Sequence, residues 1–217
     1  MNTTWTRDEI KKSIPEFLEL YKHRPIDYND GGMLAPHMFA TWFMMRQMQP
    51  KTVIESGVYK GQSTWLIEQT VPDAEVFSID IKLSQREYIS KNVTYFDQDF
   101  STIDWSFVED KENTLLFFDD HQNAVVRLQQ VNDFGFQYCI FEDNYPIGKG
   151  DCMSLKKASK RPDNYYEFPP VYVHKLSRWG NLWSEYTTPD PIYDKPVKGL
   201  EVFMEDVHNY TWICLTY

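Results

Sequence analysis

The stretch Lys51–Thr64, KTVIESGVYKGQST, constrains the fold of this chain more than any other. Its pattern predicts a buried strand over Thr52–Glu55, followed by a glycine turn and the start of a helix. Such a unit opens an open α/β sheet, and ligands in these sheets bind beyond the carboxyl ends of the strands. The sequence therefore predicts a ligand site around Glu55, Gly57 and Gly61.

The spacing within this turn excludes two common phosphate-binding motifs. The pattern E-x-G-x-x-x-G matches neither the dinucleotide motif G-x-G-x-x-G nor the P-loop G-x-x-x-x-G-K-[ST]. Ser63 and Thr64 follow the second glycine without the P-loop lysine. Because helix N-termini attract anions, a carboxylate at Glu55 is out of place beside a phosphate. The turn suits a ligand that carries an ammonium or a sulfonium group.

Length and composition predict the class of protein. The 217 residues, 42% of them hydrophobic, predict a single domain over 1–217, with a helical N-terminal segment at 1–50 and an insertion at 145–198. The net charge of −10 argues against binding to nucleic acid or an anionic membrane. The N-terminal segment lacks the apolar centre of a signal peptide, and no apolar run approaches the roughly 18 residues of a membrane span. Three cysteines without a disulfide pattern favour a reducing compartment, so we expect a cytoplasmic protein.

Periodicity predicts further elements on both sides of the opening unit. The predicted strands are Glu75–Ile81, Val93–Phe96, Thr114–Phe118, Gln137–Phe141 and a final pair, Gly199–Met204 with Thr211–Tyr217. The predicted helices are Thr6–Tyr21, Ala35–Gln47, Trp65–Thr70, Ser84–Ser90, Ala124–Phe134 and Met153–Ser159, with a weak helix or turn over Ser101–Val108. The segment Tyr145–Lys198 is rich in Pro, Tyr and Trp, which indicates a lid or substrate-binding insertion, or a dimer contact.

All five strands from Thr52 to Phe141 carry a carboxylate at or just after the carboxyl end. These residues are Glu55, Asp80, Asp97 or Asp99, Asp119 or Asp120, and Glu142 or Asp143. Each alone is explained by the preference of Asp for turns and helix caps. Together they line one crevice, where two carboxylates about 4 Å apart repel by about 4 kcal/mol at an effective dielectric constant of 20. The pattern predicts a cationic cofactor and a divalent metal.

These motifs resemble those of class I S-adenosylmethionine-dependent methyltransferases, over roughly Ala35–Phe141. VIESGVYKGQST is similar to the family's first motif, SIDI to its second, and DQDF to the region beside adenine. The ESGVYKG variant, the DDH after the fourth strand and the FED after the fifth most resemble the macrocin O-methyltransferase and cephalosporin hydroxylase-like group. The resemblance implies a Rossmann-like methyltransferase fold: a central, mostly parallel seven-stranded sheet with helices on both faces and an antiparallel C-terminal strand.

The resemblance also implies residue roles. The implied S-adenosylmethionine-binding residues are Glu55, Gly57, Tyr59, Gly61, Ser63, Asp80, Asp99 and Asp119. The implied ligands of Mg²⁺ or another divalent cation are Asp120, Glu142 and Asp143, with Asp119 competing with Asp120 and Asn144 as a further oxygen ligand. Asp120 and His121 are the predicted catalytic residues. Some relatives have a His or Lys base three residues after the aspartate, where this chain has Gln122 or Asn123, so His121 departs from that pattern and is predicted as the base or, equally, as a helix cap or an outer-sphere metal partner. His174 and Lys175 are weaker candidates for the base.

The expected function is metal-dependent O-methylation of a sugar or a small hydroxylated metabolite. Two alternatives remain at this point. One is a methyltransferase-like protein without catalysis that binds or assembles with a partner; the other is a metal-dependent hydroxylase-like enzyme on the same fold. The expected partner is a small-molecule acceptor, with homo-oligomer formation through the insertion as a further option.

Overall fold

The computed structural model describes residues 1–172, 191–195, 197–206 and 213–217. Its strands are β1 (Thr52–Ser56), β2 (Glu75–Ile79), β3 (Val93–Phe96), β4 (Thr114–Phe118), β5 (Tyr138–Phe141), β6 (Tyr165–Glu167) and β7 (Cys214–Thr216). Its α-helices are α1 (Arg7–Tyr21), α2 (Ala35–Met48), α3 (Gln62–Thr70), α4 (Ala124–Asp133) and α5 (Glu201–Asp206). Within this part of the chain, no helix has the length and apolar character needed to cross a membrane.

The strands form one seven-stranded sheet in the order β3-β2-β1-β4-β5-β7-β6. The first five strands are parallel, and β7 runs antiparallel to both of its neighbours. Alternate residues of β1 pack on opposite faces: Val53 lies in the core under α1, α2 and α3, and Ile54 in the core under α4. The predicted fold is therefore confirmed: a mostly parallel seven-stranded sheet with helices on both faces and an antiparallel C-terminal strand.

The register of the parallel strands determines where the loops meet. Ser56 pairs with Ile79 of β2 and with Phe118 of β4, and these pair in turn with Phe96 of β3 and Phe141 of β5. The residues that follow these five therefore leave the sheet along one edge. The prediction that the acidic strand ends share one crevice requires this alignment, and the five parallel strands are aligned in this way.

The N-terminal segment is helical, as predicted. Thr6 caps α1 through a capping box with Glu9, so the helix starts there although Pro15 lies inside it. The buried face of α1, with Ile10, Ile14 and Phe17, packs into the same core as α2. Helix α2 is buried along nearly its whole length because it lies between α1 and the sheet.

Several element predictions after Asp80 are wrong. The region of Ser84–Ser90 contains only a 3₁₀ turn at Leu83–Gln85, and Met153–Ser159 forms turns. Gly199–Met204 is not a strand; helix α5 covers most of it, and an acidic residue in its first turn favours the helix. In place of the predicted final strand pair, β7 lies between β5 and β6, and β6 comes from the predicted insertion. The pairing of a three-residue strand is a tertiary contact that periodicity cannot show.

The rest of the insertion lies largely outside the described residues, as do His174 and Lys175. The lid and dimer-contact interpretations therefore stay predictions, as does the single domain over 1–217.

Candidate functional site

A pocket of about 220 Å³ lies beyond the carboxyl ends of the parallel strands. Of the predicted site residues, the pocket is lined by Gly57, Tyr59, Asp80, Asp99, Asp119, Asp120 and His121. Sequence reasoning missed other lining residues, among them Gly31, Gly32, Gln85, Gln98 and Gln122. Gly31 and Gly32 come from the loop before α2, which no strand-end pattern indicates.

The glycine turn after β1 is held from two sides. Gly57 has φ +98°, and a Cβ atom there would lie 2.1 Å from the backbone oxygen of Asp119. The backbone N–H groups of Val58 and Tyr59 donate to Oδ2 of Asp80 at 2.9 and 3.0 Å. Asp80 thus fixes the turn; its Oδ1 also accepts from the Lys82 N–H at 2.8 Å, which leaves one lone pair on that oxygen for a hydroxyl donor in the pocket.

Three predicted cofactor contacts, Glu55, Gly61 and Ser63, do not line the pocket. Glu55 is fully buried one layer below, where Thr64 Oγ1 and Ser78 Oγ each donate to its Oε2 at 2.6 Å. Ser63 is buried beside it, and Gly61 is the N-cap of α3, where an added Cβ atom would lie 2.5 Å from the backbone oxygen of Tyr88. The side chain of Glu55 points to the α3 face of the sheet rather than to its edge, and a contact of these three residues with a cofactor stays a prediction.

Burial raises the pKa of Glu55 from 4.5 to about 7, against the hydroxyl donors that favour the charged form. The folded state therefore binds this proton more tightly than the unfolded state. We expect its contribution to stability to be complete below pH 4.5 and to fall as pH rises to 7, by about 3 kcal/mol in all. The measurement is the free energy of unfolding of the wild type minus that of Glu55→Gln between pH 4.5 and 8. A difference that does not change with pH would contradict the prediction.

An acidic cluster adjoins the pocket. The ligating atoms of Asp119, His121 and Asp143 all lie within 4.8 Å of one another. Both carboxylate oxygens of Asp143 are buried and have no hydrogen-bond partner among the described residues. Burial, together with Glu142 and Asp143, raises the pKa of Asp119 well above its usual range. Buried carboxylate oxygens without donors are a setting that a divalent cation such as Mg²⁺ or Mn²⁺ fits.

His121 stands at the edge of this cluster with its backbone in the left-handed region, at φ +53°. Its Nδ1 lies 2.9 Å from Oδ1 of Asp151 and 3.7 Å from Oδ2 of Asp143. Although burial opposes it, these two carboxylates raise the pKa of His121. A non-glycine residue held in this conformation is a feature that clusters at functional sites.

Two of the predicted metal ligands, Asp120 and Glu142, point elsewhere. The Asp120 carboxylate accepts from Ser56 Oγ at 2.7 Å and from Arg127 Nε at 2.9 Å. Glu142 pairs with Nδ1 of the buried His37 on α2. Side chains at consecutive positions diverge, so of the adjacent aspartates after β4 it is Asp119 that faces Asp143. Of the three predicted ligands, the structure brings only Asp143 into the cluster.

Asp99, and Asn144 after the end of β5, each form hydrogen bonds with residues outside the acidic cluster. Asp99 lines the pocket and forms a two-point ion pair with Arg127, which holds the pKa of Asp99 well below its usual range. Asn144 is buried, with Oδ1 accepting from the Lys156 N–H and Nδ2 donating to the Tyr165 hydroxyl. Its described contacts are those of a structural residue that joins the strand end to β6.

Arg127 and His37 are the important residues that sequence reasoning missed. For Arg127 a signal exists: Ala124, Arg127 and Val131 follow the helical spacing of a buried face and are the buried residues of α4. A cation on such a face demands anionic partners. For His37 no comparable signal exists, because α2 is buried on almost all sides.

Comparison with known proteins finds likeness at the level of structure. No family model and no curated protein matches the sequence. A Klebsiella pneumoniae protein described as a candidate O-methyltransferase shares 15% identity over 96% of this chain and 89% of its own, with a TM-score of 0.46. The methyltransferase PaMTH1 of Podospora anserina, bound to S-adenosylhomocysteine (SAH), shares 14% over 66% and 73%, with a TM-score of 0.45.

A third structure, described as cmcI-D160 with Mg and S-adenosylmethionine, shares 23% identity over 65% of this chain and 66% of its own, with a TM-score of 0.39. At these identities and TM-scores the likeness concerns the fold and does not extend to the reaction or the substrate. The function has to be argued from the pocket and the acidic cluster.

Proposed function

We propose that the protein is an S-adenosylmethionine-dependent O-methyltransferase that uses a divalent cation and acts on a small hydroxylated acceptor such as a sugar. The observation that carries this proposal is the position of the acidic cluster. Asp119 is common to the cluster and to the pocket beside the glycine turn, so a nucleoside cofactor and a cation would bind side by side.

The charge of the pocket supports a cationic cofactor. Asp80, Asp99, Asp119 and Asp120 line it, and neither lysine nor arginine is among the described residues that do so. Arg127 lies behind the wall and directs Nε, Nη1 and Nη2 to carboxylates. A nucleoside phosphate would face four carboxylates here and no lysine or arginine among the described lining residues, whereas a sulfonium ligand is attracted. Asp80, which lines the pocket at the end of β2, would accept from ribose hydroxyls, as acids at this position do in α/β nucleotide sites.

The reaction needs alignment and the removal of one proton. Holding the acceptor oxygen in line with the methyl group supplies on the order of 7–11 kcal/mol in the best model systems. A cation held by Asp119 and Asp143 would lower the pKa of the acceptor hydroxyl and orient it. His121 lines the pocket and, with Nδ1–H donated to Asp151, would present Nε2 as the acceptor atom for that proton.

Calorimetry with SAH, with and without Mg²⁺, tests the cofactor and the cation separately. We expect SAH to bind the wild type, and Asp80→Ala to weaken that binding at least about tenfold because the turn and the ribose contact are both lost. We expect methyl transfer from labelled S-adenosylmethionine to stop in EDTA and to return with Mg²⁺. Absence of SAH binding contradicts the cofactor assignment, and turnover that persists in EDTA contradicts the role of the metal.

The mass of the product distinguishes the alternative enzyme. Methylation adds one CH₂ group to the acceptor, whereas hydroxylation adds one oxygen atom. An acceptor that gains oxygen would replace the proposed reaction by a hydroxylase-like one on the same fold. Tight partner binding that survives substitution of Asp119 and Asp143, without turnover of any acceptor, would favour a non-catalytic role.

A further inference from the structure

Arg127 is a buried cation near the N-terminal end of α4, behind the wall of the pocket. This end of a helix disfavours a cation, because the helix dipole places positive partial charge there. The residue is nevertheless only 4% exposed. Strong anionic partners are required to hold a guanidinium in such a place.

Those partners are two carboxylates of the pocket wall. Nη1 and Nη2 donate to Oδ1 and Oδ2 of Asp99 at 3.0 and 2.6 Å, a two-point pair that fixes the plane of that carboxylate. Nε donates to Oδ2 of Asp120 at 2.9 Å, and the same oxygen accepts from Ser56 Oγ at 2.7 Å. One side chain thus joins the ends of β1, β3 and β4.

The guanidinium is fixed from its other sides as well. Nη1 also donates to Oε1 of Gln130 at 2.9 Å, one helical turn further along α4. Its central carbon lies 5.7 Å from the centre of the Phe100 ring and 6.0 Å from that of Phe118. These contacts leave the guanidinium little freedom to follow a ligand, so it acts on the pocket through Asp99 and Asp120.

We propose that Arg127 is a positioning residue that gives the adjacent aspartates Asp119 and Asp120 different tasks. By holding Asp120 against Ser56 on the pocket wall, it leaves Asp119 as the β4 carboxylate that faces Asp143. By orienting Asp99, it shapes the part of the wall that a nucleoside would contact. The inference rests on the proposed function for the identity of its two ligands, a nucleoside cofactor and a divalent cation.

Removal of the guanidinium is expected to weaken the binding of SAH and to strengthen the binding of Mn²⁺. In Arg127→Met, Asp99 and Asp120 lose their orientation, and we expect SAH to bind at least about tenfold more weakly. The potential at the cation site becomes more negative, and the freed carboxylate of Asp120 can turn towards that site. We therefore expect Mn²⁺ to bind about three- to tenfold more tightly. A general loss of structure would instead weaken the binding of both SAH and Mn²⁺. Calorimetry of metal-free protein with SAH alone and with Mn²⁺ alone measures the two effects.

Two matched variants separate charge from geometry. Arg127→Lys keeps the charge but lacks the planar fork, so Mn²⁺ affinity should stay within about twofold of wild type while SAH binding weakens. Adding Asp120→Asn to Arg127→Met removes the freed charge, so Mn²⁺ affinity should return towards the wild-type value. An unchanged Mn²⁺ affinity in the double variant, relative to Arg127→Met, contradicts the role assigned to Asp120.

Parallel weakening of both ligands in Arg127→Met, or no change in either, overturns the proposal. If the wild type binds neither SAH nor Mn²⁺, the proposed function fails, and a crystal structure of Arg127→Met then decides the positioning role. An Asp120 side chain that has left Ser56 and turned into the pocket supports the role. An Asp120 that still lies on Ser56, with Asp99 unmoved, overturns it.

Discussion

Asp119→Asn is expected to weaken divalent-cation binding strongly while making the metal-free protein more stable. The carboxylate lies among other carboxylates, and burial and those neighbours raise its pKa well above the usual range. The amide removes a charge that the fold tolerates only at a cost, so we expect the free energy of unfolding at pH 8 to rise by about 1 kcal/mol or more. The same change removes one of the two carboxylates proposed to hold the cation, and we expect the affinity for Mn²⁺ to fall at least about 100-fold.

Asp97→Asn is the matched control, because Asp97 follows β3 at the same edge of the sheet but is exposed. It should leave stability within about 0.5 kcal/mol of wild type and Mn²⁺ affinity within about twofold. Chemical unfolding of metal-free protein and Mn²⁺ calorimetry provide both readouts. An Asp119→Asn protein that retains wild-type Mn²⁺ affinity would show that the cluster is not a cation site, and one that is less stable than wild type would contradict the repulsion assigned to the Asp119 charge.

The location of the site could be predicted from sequence because sheet geometry converts strand ends into neighbours. The residues after β1 to β5 have no sequence proximity, yet the parallel register brings Gly57, Asp80, Asp119 and Glu142 to one edge. That inference needs only five strands and the rule that carboxyl ends of parallel strands coincide. It does not depend on which side chain turns inward.

The assignment of individual carboxylates could not be predicted in the same way. At a strand end, a shift of one residue reverses the direction of a side chain, and the partners that select the direction come from elsewhere in the chain. Arg127 on α4 takes Asp120, and His37 on α2 takes Glu142, which leaves Asp119 and Asp143 to face each other. Glu55 illustrates the same limit, since its partners Thr64 and Ser78 draw it below the pocket.

Of the single alanine substitutions in the glycine turn, Gly57→Ala is expected to disrupt the turn most. At φ +98° an L-residue is already strained, by about 1–3 kcal/mol. The added Cβ would also lie 2.1 Å from the Asp119 backbone oxygen and 2.4 Å from its carbon, and backbone at the end of a central strand cannot move aside cheaply. We expect the free energy of unfolding to fall by about 3 kcal/mol or more, and SAH binding to be lost because both the turn and Asp119 must shift.

Gly135→Ala separates conformational strain from collision. Gly135 has φ +78° at the end of α4, but a Cβ there would meet only a side-chain carbon of Lys111, at 3.9 Å. This variant carries the strain without the clash, so it should lose about 1 kcal/mol of stability and keep SAH binding within about twofold of wild type. Chemical unfolding and SAH calorimetry compare the two alanines directly. Equal losses in both would mean that backbone strain alone, and not the close approach of β1 to the Asp119 strand end, sets the requirement for glycine in the turn.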